Sequence, residues 1–301
     1  MRTVFLGTSG FAATVLDRLA SSPHRPVLVV TRPDRPRGRG RKLSPPPVAE
    51  TAGLLGVELL QPENVNDEAA GARIAQAEPE AVIICAFGAL IREPLLSAHE
   101  MLNVHPSLLP RWRGAAPIER AIDAGDEETG VTIMRPTADF DAGPICLQRA
   151  ESVGPDDDYG SLSVRLAALG GELLVEALDQ RPPFRDQPED GVTIAPKIEP
   201  DDRRLDPARS ADELERRVRA LTPHIGAYLP LPWGERLGVV RAALAPDEPP
   251  ATGALAGRDG RLLLGTGTGA LELLEVHPAG KRAMEAGAWL RGYGERLRAT
   301  G

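Results

Sequence analysis

The chain has 301 residues, of which 42% are apolar and 26% charged, and its net charge is −8. That length holds one large domain or two ordinary ones with ample core. No apolar run approaches the roughly 20 residues of a membrane span, and the acidic balance excludes a protein coated in basic surface.

The charge is unevenly spread. Residues 209–301 carry 13 Lys+Arg against 11 Asp+Glu, and residues 1–208 carry 22 against 32. Within the acidic part, the eleven residues from Arg32 to Lys42 hold six cations (Arg32, Arg35, Arg37, Arg39, Arg41 and Lys42) against Asp34 alone. Such a Gly/Pro-rich run is either a solvated loop or a grip on an anionic partner.

In chain order, Met1–Gly7 has a passing likeness to a signal peptide. The apolar run is too short and turns polar at Thr8, so a first strand over Thr3–Leu6 is expected. Gly7-Thr8-Ser9-Gly10 then opens a helix over Phe11–Ala20. The turn lacks full dinucleotide spacing and reads as a tight turn, with a nearby ligand left open. Strands are expected at Val27–Thr31, Val57–Leu60, Ala81–Ala86 and Met101–His105, and helices at Val48–Leu55 and Glu68–Ala77. Ala81–Ala86 is continuously apolar, as a strand covered on both faces should be. The alternation predicts a doubly wound, mostly parallel sheet, whose ligands bind beyond the carboxyl ends of the strands.

Asn103 and His105 fall at such an end. Two residues apart on a strand, they share a face. Asp141, in Asp141-Ala142-Gly143, could join them. An amide, an imidazole and a carboxylate suit acyl transfer without a covalent nucleophile: two groups steady an oxyanion and the third orients the imidazole. The plainer alternative is that the strand-end side chains satisfy loop backbone and that Asp-x-Gly is only a turn. The following Ser107-Leu108-Leu109-Pro110 and Trp112-Arg113-Gly114 favour the site, because such a loop can wall a partly apolar pocket.

Pro117 starts a helix to Ala124. Strands over Thr129–Arg135 and Ile145–Ala150 flank the Asp139–Gly143 loop, and Ser161–Leu178 is a long amphipathic helix. The Pro- and Asp-rich stretch 187–207 reads as a linker between a catalytic domain, 1–186, and a C-terminal domain, 208–301. Ser210 and Glu213 form a capping box for a helix to Leu221. Short strands at Leu237–Leu244, Thr252–Ala256, Arg261–Gly265 and Leu271–Val276 suggest a small β-barrel of the oligonucleotide-binding (OB-like) type, and a helix over Met284–Tyr293 ends the chain. Cys85 and Cys146 sit in strand-like contexts, which fits packing in a reducing, cytoplasmic compartment. No second Cys or His lies at ligand spacing, so no metal is expected. Trp112, Trp233 and Trp289 read as packing residues.

Asn103-Val104-His105-Pro106-Ser107-Leu108-Leu109-Pro110-Arg111-Trp112-Arg113-Gly114-Ala115-Ala116-Pro117-Ile118, with Asp141–Gly143, resembles the signature of the folate-dependent formyltransferases. The likeness covers nearly the whole chain. Pro33–Leu43 resembles the basic loop with which one branch of that family engages a tRNA acceptor arm, and Pro278–Met284 resembles that branch's C-terminal domain. Ser9-Gly10 stands where the family has Pro and an acidic residue, and Pro144 replaces an acidic residue.

The resemblance implies a Rossmann-like catalytic domain and 10-formyltetrahydrofolate as co-substrate, without a metal. The acceptor it implies is the α-amino group of methionyl-initiator tRNA. Asn103, His105 and Asp141 become catalytic, with His105 held and kept protonated by Asp141. Ser107, Leu108, Leu109 and Pro110 become folate-binding. Arg35, Arg37, Arg39, Arg41, Lys42, Lys281 and Arg282 become tRNA-binding, although Lys281-Arg282 could equally cap a strand. Two other readings remain: an amino-sugar-nucleotide formyltransferase, which would not need the Arg32–Lys42 loop, and a non-catalytic RNA-binding protein. A monomer is expected, since no long coiled coil or apolar docking helix is visible.

Overall fold

The computed structural model describes residues 1–37, 40 and 42–298. It divides into two compact units that interleave along the chain. The first comprises Met1–Gly114, Glu128–Ser152 and Ser163–Ile194; the second comprises Ala115–Glu127, Val153–Leu162 and Ala195–Gly301. The stretch 187–207, read as a linker, is therefore shared between them, and Leu205 is fully buried in the core of the second unit.

The first unit is built on a seven-stranded sheet. Its order is Ile145–Ser152, Glu128–Met134, Met101–His105, Ala81–Cys85, Thr3–Gly7, Pro26–Val30 and Glu58–Leu60. The last five are mutually parallel, and the first two add an antiparallel hairpin to one side. Thr3–Gly7 and Ala81–Cys85 are buried at every position, which is why their sequences show no polar alternation. Ser9 caps the helix Gly10–Ala20 by accepting from Ala12 N. Helices Pro47–Leu55 and Glu68–Gln76 lie close to the expected bounds.

The sheet winds outward both ways from Thr3–Gly7, so its switch point lies between that strand and Ala81–Cys85. Gly7 pairs with Cys85 and Cys85 with Val104, which brings the carboxyl ends of three parallel strands to one level. Asn103 and His105 therefore stand where such sheets take their ligands.

Part of the basic stretch is paired. Arg35–Arg37 and Lys42–Ser44 form an antiparallel ladder, with Arg35 opposite Ser44 and Arg37 opposite Lys42. The strands are short and largely exposed, so no apolar alternation announces them. Arg39 and Arg41 lie outside the described residues.

The second unit carries a six-stranded antiparallel sheet. Its path is Ala227–Pro230, Arg236–Ala245, Ala270–Pro278, Arg261–Gly265 and Leu255–Arg258, with Met284–Glu285 added to Ala270–Pro278. Leu214, Val218, Leu237, Leu262, Leu271 and Trp289 fill its core. Trp289 is 1% exposed and stacks on Tyr293, so it is a packing residue. The expected strand Thr252–Ala256 lies instead at Leu255–Arg258, and the last helix runs Ala286–Arg298.

Both cysteines are buried and unpaired, and burial pushes both thiols up. Only the thiolate is nucleophilic. We expect iodoacetamide at neutral pH to leave Cys85 and Cys146 unlabelled over hours and to label both promptly in denaturant, with mass spectrometry as the readout. Prompt labelling of the native protein would contradict their packing role. Among the described residues, no helix is long and apolar enough to cross a membrane.

Candidate active site

Met101–His105 lies between Ala81–Cys85 and Glu128–Met134 in the sheet, so its backbone is fixed from both sides. Asn103 sits opposite Met134 and Ile84, and His105 opposite Thr132. Asn103 is half-buried, and the His105 side chain is 4% exposed.

Asp141 comes from the loop after Glu128–Met134, and it meets both. Asn103 Nδ2 donates to Asp141 Oδ1 at 3.3 Å, and His105 Nδ1 lies 3.5 Å from Asp141 Oδ2. The backbone N–H of Gly114 donates to Asp141 Oδ2 at 3.0 Å. The carboxylate thus gathers an amide, an imidazole and a backbone donor. Asp141 adopts φ +47°, a left-handed conformation that Asp tolerates better than most residues and that serves here to turn the carboxylate inward.

The other ring nitrogen is also engaged. His105 Nε2 lies 2.9 Å from the Trp112 carbonyl, which can only accept, so Nε2 carries a proton. Trp112 has φ +64°, and its N–H donates to Thr193 Oγ1 at 2.8 Å. Arg111 lies over the Trp112 ring at 4.4 Å.

The loop Ser107–Pro110 divides into two kinds of residue. Ser107 is fully buried and its Oγ donates to the Arg111 carbonyl at 2.6 Å; Leu109 is 3% exposed and packs with Met134 and Ile145. Their backbones are also committed: Thr132 Oγ1 donates to Ser107 O and accepts from Leu109 N, and Gln148 Nε2 donates to Leu109 O. Leu108 and Pro110 keep partly exposed surface. Thr132 and Gln148, which sequence reasoning did not single out, are what hold this loop against the sheet.

The sequence-expected cations are distributed over both units. Arg35 faces Glu63 at 3.4 Å in an exposed pair worth little by itself. Lys42 is exposed. In the second unit, Lys281 and Arg282 are exposed, and Lys281 Nζ lies 5.2 Å from the Tyr293 ring. Among the described residues, no cluster of three or more His, Cys, Asp or Glu could hold a metal ion.

A strand-end amide and imidazole meeting a carboxylate from the loop after the neighbouring strand is the arrangement the formyltransferase signature implied. The Formyl transferase family profile matches residues 1–178. The chain belongs to that family. The C-terminal domain profile of formyl transferases matches residues 197–294 of this family member. It is 44% identical to the methionyl-tRNA formyltransferase of Halorhodospira halophila, over 97% of this chain and 96% of that one. Two solved structures share the fold. HypX of Aquifex aeolicus in complex with tetrahydrofolic acid superposes with a TM-score of 0.66 at 20% identity, covering all of this chain and 48% of that one. The methionyl-tRNA formyltransferase of Clostridium thermocellum gives 0.59 at 14% identity, covering 82% and 95%.

Proposed function

We propose that this formyltransferase moves the formyl group of 10-formyltetrahydrofolate to the α-amino group of methionyl-initiator tRNA, giving N-formylmethionyl-tRNA for translation initiation in the cytoplasm. The observation that carries the chemistry is the convergence of Asn103, His105 and Asp141 at the carboxyl end of the sheet. Full-length likeness to curated methionyl-tRNA formyltransferases supports the acceptor.

The amine nitrogen attacks the formyl carbon, and the C=O electron pair moves to the formyl oxygen. Asn103 spends one N–H on Asp141 and offers the other to that oxygen. His105 Nε2–H shares its proton between the Trp112 carbonyl and the same oxygen, while Asp141 steadies the ring from the Nδ1 side. When the tetrahedral adduct collapses, the carbon–N10 bond breaks. The amine proton passes to the departing folate nitrogen, with Asp141 relaying it through water. Leu108 and Pro110 offer the partly exposed apolar surface for the folate, and Ser107 and Leu109 shape that loop from beneath. The reading keeps 1–186 as catalytic and 208–301 as tRNA-binding, in a monomer, with 187–194 joining the first unit and 195–207 the second.

The deciding experiment offers methionyl-initiator tRNA and an amino-sugar nucleotide together with 10-formyltetrahydrofolate. Formylation of the tRNA alone is expected. Formylation of the sugar alone would keep the catalytic group and overturn the acceptor, and RNA binding without transfer to either would favour a non-catalytic protein. For the basic stretch, neutralising Arg37, Arg39, Arg41 and Lys42 together should raise KM for tRNA and spare folate binding. It should also flatten the dependence of log KM on log salt by about 0.7–0.9 for each phosphate that is no longer neutralised. An unchanged salt slope would return the stretch to solvent.

A further inference from the structure

Between residues 185 and 192 the chain is exposed at every position except Gln187. A single polar side chain turned inward from such a stretch needs partners, and Gln187 has three. Its Nε2 donates to the Asp141 carbonyl at 2.7 Å and to the Gly143 carbonyl at 2.8 Å, and its Oε1 accepts from Arg113 Nε at 2.9 Å. This orientation is fixed by chemistry. Rotated by half a turn, the amide would set its oxygen against two carbonyl oxygens and its NH2 against a guanidinium N–H.

We propose that Gln187 is a positioning residue that sets the Asp141 carboxylate. One primary amide ties the loop carrying Asp141 to the loop that follows His105. Asp141 sits in a left-handed conformation, and the direction of its carbonyl is coupled to that of its side chain through the same residue. Both N–H groups of Gln187 fall on Asp141 and Gly143, the two ends of the short segment that aims the carboxylate at Asn103, His105 and the Gly114 N–H.

The same strap reaches the other side of the imidazole. Thr193 accepts from Trp112 N through Oγ1 and from Arg113 N through its carbonyl, at 2.8 and 2.9 Å, and Trp112 supplies the carbonyl that holds His105 Nε2. The segment 187–193 therefore frames His105 from both ring nitrogens. Gln187 acts through Asp141 and not on substrate. The proposal rests on the formyl-transfer reading for its activity readout and on geometry alone for its exchange readout.

The test uses the full chain with Gln187→Ala and Gln187→Glu, each in the parent and in an Asp141→Ala background. Gln187→Glu keeps an acceptor for Arg113, loses both donations, and provides a second variant should the alanine fold poorly. We expect kcat to fall about 10- to 100-fold, the scale of a catalytic group displaced by a fraction of an ångström to one ångström. KM for tRNA and for folate should stay within about threefold, and in the Asp141→Ala background either change should lower kcat by less than about twofold further. Hydrogen exchange of the Gly114 amide, which donates to Asp141, should quicken about tenfold while that of Ile83 in the central sheet holds. Equal losses in both backgrounds, an effect on KM alone, or unchanged Gly114 exchange would overturn the proposal. If Asp141→Ala keeps full activity, the reading of the site fails, and Gly114 exchange still decides whether Gln187 sets Asp141.

Discussion

Asn103→Ala is expected to lower kcat by about 10²–10³-fold, the scale of one oxyanion donor, with KM for both substrates little changed. Asn103 is held in the sheet opposite Ile84 and Met134, so its amide cannot drift from the carboxyl end of the strand. One of its two N–H groups is committed to Asp141 Oδ1. On the proposed mechanism alanine removes the donor to the formyl oxygen and also frees one oxygen of the Asp141 carboxylate, so the loss should lie toward the upper end of that range. Asn103→Asp keeps the size and should be at least as damaging, because it removes both N–H donors of the amide and sets a second carboxylate against Asp141. The backbone ladders do not involve the side chain, and melting should move by only a few degrees. Steady-state kinetics decide the matter: a change in kcat under about threefold removes Asn103 from the mechanism.

The parallel sheet was legible because burial on both faces leaves an unbroken apolar run at Ala81–Cys85, and the helix Pro117–Ala124 because Pro117 marks its first turn. The capping box was legible for a local reason: Ser210 Oγ accepts from Glu213 N at 3.2 Å and Glu213 Oε2 accepts from Ser210 N at 3.0 Å, and both partners lie within one turn. The pairing of Asn103 with His105 followed from the period of two alone. Their meeting with Asp141 rested on the resemblance, since 38 residues separate Asp141 from Asn103. The pairing of Arg35–Arg37 with Lys42–Ser44 was hidden because exposed strands need no apolar alternation. The strand at Leu255–Arg258 was misplaced because the turn signal after it was not used: Asp259 and Gly260 both have positive φ, +50° and +79°, and Arg258 pairs with Arg261 across them. That is an Asp-Gly hairpin turn, which fixes where the strand must end. Gln187 was hidden for a deeper reason. A lone glutamine in a Pro- and Asp-rich stretch carries no periodic signal, and its partners come from two other segments.

Gly143→Ala is expected to cost nearly as much activity as removing a catalytic group, without touching one. A Cβ at residue 143 would lie 2.0 Å from the Arg135 carbonyl oxygen and 2.9 Å from Thr137 Cγ2. The first contact is to backbone that cannot rotate away: Arg135 N donates to Pro144 O at 2.9 Å, and Met134, just before it, is paired with Asn103. The loop, not the strand, must therefore move. It carries Asp141 two residues earlier, and the Gly143 carbonyl is one of the two groups Gln187 holds. A shift of about 1 Å at a catalytic carboxylate is worth about 10²-fold in rate, so kcat should fall on that scale while KM for tRNA changes little. Gly292→Ala is the matched control. Nothing lies within 4 Å of a Cβ there, and the residue is helical, so it should keep full activity and gain up to roughly 1 kcal/mol of stability. If Gly143→Ala retains more than about a third of the parent kcat, either the loop relaxes without displacing Asp141 or the carboxylate does not act. Gly114 amide exchange, which reports on the Asp141 oxygen directly, tells the two apart.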